Sequence, residues 1–381
     1  MKLIFDGTVL RQYGFAHPTA EFGGTEKFVR KIITGLAENG HQVHVVAADL
    51  EREEQRGDNE WWWGPRNHPT KADVVIAVQN LMPLEEQAIP YVAEHFMLLT
   101  TTTDPWLGDG AGQLSRVPCM SQTHVDLLTA QSPSIRPEQC VITGLGVELD
   151  DYQRRNRWVG IGPDGYALPD IDSVPGRMFF ANDPQRGLWH LLSIFDLVRE
   201  RVPEATLHIG YDFDRQFEDH RWRSNAIAER LWQCKERIER GDGVVNLGSL
   251  THAELVREQL ECQVHCHPSD PPNVGSQTHG LTQMELAAAG SALVLSDIES
   301  FPELFSDCAE LLPLPGCMAA VDDEIGDLAR VRYEDWADVV VGLMQDKDRW
   351  QEASTKSRQV AAQHTWPRVL ERWETMLAGL E

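Results

Sequence analysis

No apolar run in the chain approaches the roughly 20 residues that cross a bilayer. The N-terminal MKLIFDGTVLRQYG turns polar too soon for a secretory leader. The expected compartment is therefore cytoplasmic, with at most peripheral membrane contact. Positive charge is scarce: 34 Lys and Arg stand against 59 Asp and Glu, for a formal net charge of −25. Such a surface repels phosphate backbones over most of its area, so general nucleic-acid binding is disfavoured. The seven cysteines (119, 140, 234, 262, 266, 308 and 317) are scattered and odd in number. That fits reduced thiols rather than a disulfide framework. Cys262, His265, Cys266 and His267 form the tightest group, but in a strand-like stretch where alternate residues face opposite ways. No second ligand pair follows at zinc spacing, so no metal site is expected. A GxGxxG is also missing after the first strand, where FDGTVLRQYG stands, which argues against a dinucleotide enzyme. Solenoid-length repeats and low-complexity tracts are lacking as well.

What is present is alternation. With 381 residues, 42% of them hydrophobic, two domains with proper cores are expected. Short apolar runs at 2–5, 42–48, 73–78, 96–99, 117–120 and 141–143 read as strands. Helical spacing of Phe28, Val29, Ile32, Ile33, Leu36 and Ala37 predicts a helix over 25–39, closed by Gly40. Residues 151–176 are polar and rich in Gly and Pro, and read as an inter-domain linker. Alternation restarts with strands at 178–181, 206–210, 244–248, 264–267 and 292–296. Helices are expected at 188–201, 226–240, 253–261, 281–289, 336–345, 348–363 and from about 367 to 380. Strands alternating with helices imply parallel sheets. The expected class is α/β, with two Rossmann-like domains facing each other across a cleft. They span 1–150 and 177–365, followed by a last helix at 366–381.

Ligands of such sheets bind at the carboxyl ends of strands, against helix N-termini. Four stretches fall there. Gly23-Gly24 opens the first helix, where glycine permits close backbone approach. NDPQRGL at 182–188 opens the first helix of the second half, and its Arg186 can pair with a phosphate bidentately. PSDPPNVGSQTHG at 268–280 feeds a helix whose amides at Gly280, Leu281 and Thr282 form a second anion socket. Gly248 and Ser249 follow another strand. Glu285, one turn into its helix, is placed to accept hydrogen bonds from the vicinal hydroxyls of a ribose. Together the four suit a nucleoside diphosphate. Trp61-Trp62-Trp63, read as a loop after the second strand, offers indoles for stacking on sugar rings or bases.

The order of these motifs resembles a GT-B glycosyltransferase of glycosyltransferase family 4. GGTEKFVRKIITGLAENGHQVHVVA resembles the family's glycine loop, first helix and second strand. VITGLGVEL resembles the end of its first domain, and FFANDPQRGLWHLLSIFDLVRERVPEATLHIGY the start of its second. THGLTQMELAAAGSALVLSDIESFPELF resembles the donor-binding helix, and WPRVLERWETMLAGL the closing helix. The resemblance implies a retaining, metal-independent enzyme that uses a nucleotide sugar, UDP-sugar favoured over GDP-sugar, and needs no cofactor. Of the family's two glutamates eight positions apart, the second falls on Glu285. The first falls on Gln277, which can still hydrogen-bond sugar hydroxyls but carries no charge. Arg186 takes the place of the family's lysine, and Asn182 stands near the second basic position. The resemblance adds His279 to the donor side. It places Asp104, in TTTTD at 100–104, near the reacting sugar, with Trp106 close by. The acceptor stays open among a glycan, a lipid-linked sugar, a small molecule, a protein and a modified nucleobase. A binding protein without turnover and a nucleotide-sugar epimerase are the alternatives.

Overall fold

In the computed structural model the described residues are 1–8, 10, 24–81, 91–103, 105, 107, 110–152, 173–213, 225–269, 278–313 and 326–380. They divide into two compact units, Met1–Gly146 with His364–Glu381, and Val147–Gln363.

The first unit is built on an eight-stranded sheet. Its strands are β1 (Lys2–Asp6), β2 (Gln42–Val46), β3 (Glu54–Gly57), β4 (Glu60–Trp63), β5 (Val74–Val78), β6 (His95–Leu99), β7 (Leu114–Cys119) and β8 (Cys140–Ile142). The order is β3-β4-β2-β1-β5-β6-β7-β8, and only β3 runs antiparallel to its neighbour. β5 reads VVIAV and is buried at every position, as a central parallel strand covered on both faces must be. Helix α1 (Gly24–Glu38) buries the stripe that its spacing predicts, from Phe28 to Ala37. Helix α2 (Gln122–Gln131) is capped by the Ser121 hydroxyl, which accepts from the His124 N–H.

The last helix, α10 (Trp366–Ala378), belongs to this unit. Trp366 stacks on Phe28 with ring centroids 6.1 Å apart. A β-carbon on Gly35 would sit 2.4 Å from Leu370 Cδ1, so α1 and α10 approach through a glycine.

The second unit holds β9 (Arg177–Phe180), β10 (Thr206–Ile209) and β11 (Val244–Asn246) in the order β11-β10-β9. It also holds β12 (Val264–His267), β13 (Ala292–Ser296) and β14 (Ala309–Leu312) in the order β12-β13-β14. All the pairings are parallel. The Gln263 N–H donates to Arg177 O at 2.9 Å and sets β12 beside β9. Around these strands lie α3 (Leu188–Arg201), α4 (Asn225–Glu239), α5 (His252–Glu261), α6 (Leu281–Ala289), α7 (Ser300–Phe305), α8 (Gly326–Gln345) and α9 (Lys347–Ala361). One core joins Leu191, Phe195 and Val198 of α3 to Trp336 and Val340 of α8. A second joins Val256, Leu260, Met284, Leu286 and Phe301.

Several elements differ from expectation. Trp61–Trp63 lie in strand β4 rather than a loop, paired with β2 and, across the tight turn at Asp58-Asn59, with β3. β3 reads EQRG and carries no apolar signal, so the hairpin is invisible to periodicity. Helix α8 begins at Gly326, ten residues ahead of the expected start at 336. Helices α2 and α7 and strand β14 are further elements absent from the periodicity reading. The chain leaves the first unit after Gly146, ahead of the boundary expected at 150. Val147 and Tyr152 already sit in a core of the second unit.

Candidate functional site

The second unit gathers its polar residues where β9, β12 and β13 end. After β9, Asn182–Gly187 make a turn in which the Arg186 N–H donates to Asp183 O at 2.8 Å. Gly187 then starts α3 in the left-handed region, at φ 97°. A β-carbon there would lie 2.1 Å from Pro268 O, the carbonyl just past β12. Only glycine lets these two loops meet. Ser296, at the end of β13, donates its hydroxyl to Ser269 O at 3.0 Å and ties the third strand end to the second. Glycine also opens α6: Gly280 has φ 91°, and its side would meet Phe301 at 2.9 Å. No side chain caps α6, so its first-turn amides keep their donor capacity.

Arg186 stands at the mouth of α3. Burial pulls its guanidinium below the usual arginine range, while Asp183 and Glu299 pull the other way. Glu299 is itself held at φ 47°, an uncommon backbone conformation for a non-glycine residue. His267 ends β12 fully buried, its ring between Phe180 and Phe301 and stacked on His265 at 5.7 Å. Burial first, then His265 and Arg186, keep it neutral. Among the described residues, Asn182 Nδ2, both ring nitrogens of His267, Gln283 Nε2 and Ser300 Oγ are buried without a hydrogen-bond partner. Buried polar groups are nearly always paired. These four residues all lie at strand ends or in the helix turns that follow them.

Glu285 is 4% exposed and accepts from Gln259 Nε2 at 3.0 Å. Gln259 Oε1 in turn accepts from the Tyr152 hydroxyl at 2.7 Å. Burial, then Glu285, push the Tyr152 phenol well up, so it stays a donor. The chain Tyr152–Gln259–Glu285 fixes the carboxylate from behind. Sequence reading found only its last member, because the other two lie 26 and 133 positions away. Gly248 follows β11 at φ 67° with open space at its side, and Ser249 beside it is exposed.

Polar side chains also collect at the carboxyl end of the first unit's sheet. Asp6 ends β1 and accepts from the Thr8 hydroxyl at 2.7 Å and from the Tyr91 hydroxyl at 2.6 Å. Gln79, just past β5, sits at φ 72°. Its Oε1 accepts from Thr101 N at 3.2 Å and its Nε2 donates to Thr101 Oγ1 at 2.9 Å. Thr101 Oγ1 lies 3.0 Å from Thr25 Oγ1 in the first turn of α1. His124 Nδ1 accepts from Met120 N at 3.2 Å, which leaves Nε2 to donate to Thr102 O. Burial lowers the His124 pKa to about 4, in keeping with that neutral tautomer.

Of the residues singled out in the sequence, Asn182, Arg186, His279, Gly280, Leu281, Thr282 and Glu285 all lie in the second unit. Most cluster at the strand ends just described. Gly23, Asp104, Trp106 and Gln277 lie outside the described residues. Gly24 is the first, exposed residue of α1. The tryptophans part company. Trp62 is 1% exposed, its indole N–H donates to Glu60 Oε1 at 2.6 Å, and Arg56 covers its ring at 4.0 Å. It is a packing residue, not a surface for an acceptor. Trp61 stacks on His44 at 5.0 Å, and Trp63 donates to His44 Nδ1 at 3.2 Å. The alternation of a strand sends Trp62 to one face and its two neighbours to the other. Among the described residues no group of three or more His, Cys, Asp or Glu is arranged to hold a metal ion.

Similarity to known proteins bears on the fold. No family model matches the chain. Over 262 residues it is 24% identical to phosphatidyl-myo-inositol mannosyltransferase of Mycobacterium tuberculosis, covering 59% of this chain. The match spans 64% of the length of that relative. Among solved structures, sucrose-phosphate synthase of Thermosynechococcus elongatus superposes over 100% of this chain and 99% of its own, with TM-score 0.68 and 13% identity. HepE of Anabaena, solved with UDP and glucose, covers 100% of both chains at TM-score 0.64 and 14% identity. WaaG, a glycosyltransferase involved in lipopolysaccharide biosynthesis, covers 97% of this chain and 98% of its own at TM-score 0.61 and 13% identity. The fold is therefore the two-domain α/β fold of the GT-B glycosyltransferases.

Proposed function

We propose that the protein is a glycosyltransferase that moves a sugar from a nucleoside-diphosphate sugar, UDP-linked in preference to GDP-linked, to an acceptor. In this reading the configuration is retained, no metal takes part, and the diphosphate is held by the strand ends of the second unit. The observation that carries the proposal is the set of buried, unpartnered donors at the second unit's strand ends and the helix turns that follow, where Arg186 also stands. Asn182 Nδ2 and Gln283 Nε2 can only donate, and Arg186 is a cation in a chain of net charge −25. A site that spends stability on unsatisfied donors and a desolvated cation is complementary to an anion.

The chemistry asks for stabilisation of negative charge on the departing diphosphate. Arg186 would meet it with two parallel N–H groups, and the uncapped first turn of α6 would add backbone amides. Glu285, oriented by Gln259, is suited to accept from vicinal ribose hydroxyls. Neutral His267 beside Arg186 leaves the local positive charge to the guanidinium. A Gln at 277 in place of the family's Glu would bind sugar hydroxyls without adding negative charge near the diphosphate.

Release of UDP from UDP-glucose, UDP-galactose and UDP-N-acetylglucosamine, followed in EDTA with and without acceptor sugars, tests the proposal. Slow release in EDTA that acceptor accelerates is expected. Release that requires a divalent metal would overturn the metal-independent part. UDP that binds tightly with no release from any donor would favour the alternative of a nucleotide-sugar-binding protein.

A further inference from the structure

Beyond the strand ends already described, the first unit holds a cavity of about 810 Å³ at the edge of its sheet. Two loops form it, Ala48–Glu53 after β2 and Gly64–Asn67 after β4, with Trp63 between them. The loops are fixed to each other. The Ala47 N–H donates to Trp63 O at 3.0 Å, and a β-carbon on Gly64 would sit 2.3 Å from Leu50 O. The two loops are therefore held together by backbone contact, and the side chains they carry line the cavity. Its volume lies in the range of small-molecule sites.

The lining has a definite chemistry. Trp63 is half-buried, its indole N–H is committed to His44 Nδ1 and its ring lies tilted against the His44 ring at 6.0 Å, so what remains for a ligand is the part of its ring surface that His44 leaves open. Around it stand Arg52, Arg66 and Asn67 with Glu51 and Glu53. Guanidinium, carboxylate and amide groups are all fork-shaped hydrogen-bonders able to span adjacent hydroxyls. Two arginines and two glutamates cancel, so the cavity offers no net attraction to an anion. An aromatic surface with neutral-sum, bidentate polar groups matches an uncharged sugar ring, apolar on its C–H face and hydroxylated at its rim.

Register gives the distance. Trp63 pairs with Val46, and Val46 with Asp6, so β4 and β1 are two strand spacings apart. That is about 10 Å. A single sugar ring does not span the roughly 10 Å from Trp63 to Asp6, but an acceptor of two or three rings does.

We infer that this cavity binds an uncharged sugar ring of an oligosaccharide acceptor, one that stacks on Trp63 and hydrogen-bonds Arg52, Arg66 and Asn67. The inference rests on the transferase reading for the word acceptor, but the binding itself is separable. Ligand-observed NMR on the full chain with cellotriose, maltotriose and mannotriose tests it, with glucuronate and inorganic phosphate as charged comparators. UDP affinity is measured on the same samples. At least one neutral trisaccharide should bind at millimolar concentration. Trp63→Ala should weaken it about tenfold or more. An Arg66→Ala/Asn67→Ala double variant, on an exposed loop, should weaken it without lowering the melting temperature. UDP affinity should not change in either variant. No binding by any of the three, binding indifferent to both variants, or binding by glucuronate or phosphate in preference would overturn the inference. Loss of UDP binding by the wild type would instead indict the donor-site proposal.

Discussion

The two units end their strands in opposite states. In the first, polar side chains answer one another: Asp6 holds Thr8 and Tyr91, Gln79 holds Thr101, and His124 holds the loop through Thr102 O. In the second, Asn182, His267, Gln283 and Ser300 each hold a buried polar atom with no hydrogen-bond partner among the described residues. A self-satisfied cluster is a rigid wall. An unsatisfied one stores free energy that a ligand can release. Under the proposed function, the difference puts the tighter ligand in the second unit and gives the first a shaping role.

The contrast can be broken from the second unit. Gly187→Ala places a methyl against Pro268 O in a left-handed conformation, and should destabilise that unit by about 4 kcal/mol, the sum of a strained backbone and an overpacked contact. Thermal unfolding with separate probes for the two units would see it, and the stabilisation by UDP should vanish with it.

Acid should reach both units. His124 in the first and His265 in the second both have folded pKa values lowered by burial from 6.5 to about 4. The unfolded chain binds more protons in that window, so stability falls as pH drops from 6.5 to 4. The loss is on the order of 3 kcal/mol per histidine once pH is below 4. His124→Gln should reduce the acid slope of the first unit alone, leaving the part that His44, its pKa also lowered by burial to about 4, contributes, as read by urea midpoints between pH 7 and pH 4.

Arg186→Ala sharpens the comparison from the functional side. It removes the cation without touching the core, so the melting temperature should hold. Turnover should drop about 100-fold, near 2.7 kcal/mol of transition-state stabilisation, by analogy with loss of a single charge-stabilising donor. Wild-type turnover would leave Arg186 a structural cation with no part in phosphate binding. The smallest effect is expected in the first unit, where Gln79→Ala removes two hydrogen bonds to Thr101. A loss of about 1–2 kcal/mol of stability is expected, with UDP affinity unchanged.

The helix over 25–39 and the turn at Arg186 are legible because both are local: apolar spacing marks the first, and a Pro-x-Arg-Gly turn marks the second. Glu285 is legible as a carboxylate one turn into a helix. The Tyr152–Gln259 support behind it is not, since only the fold brings those positions together. The orphaned state of His267 is equally hidden, because a buried histidine in VHCH reads as core until its neighbours are known. β4 escapes because three tryptophans in a row mask strand alternation, and its partner β3 has no apolar residue to announce it. Gln79 and Glu299 adopt left-handed backbones that no glycine or asparagine signals.

Hydrogen–deuterium exchange with and without UDP, in EDTA, tests the central claim most directly. Protection is predicted in peptides covering 181–191, 265–269, 278–288 and 297–303 of the second unit. Peptides covering 77–81 and 99–103 of the first should exchange at unchanged rates. Protection confined to the first unit, or none in the second at saturating UDP, would contradict the account.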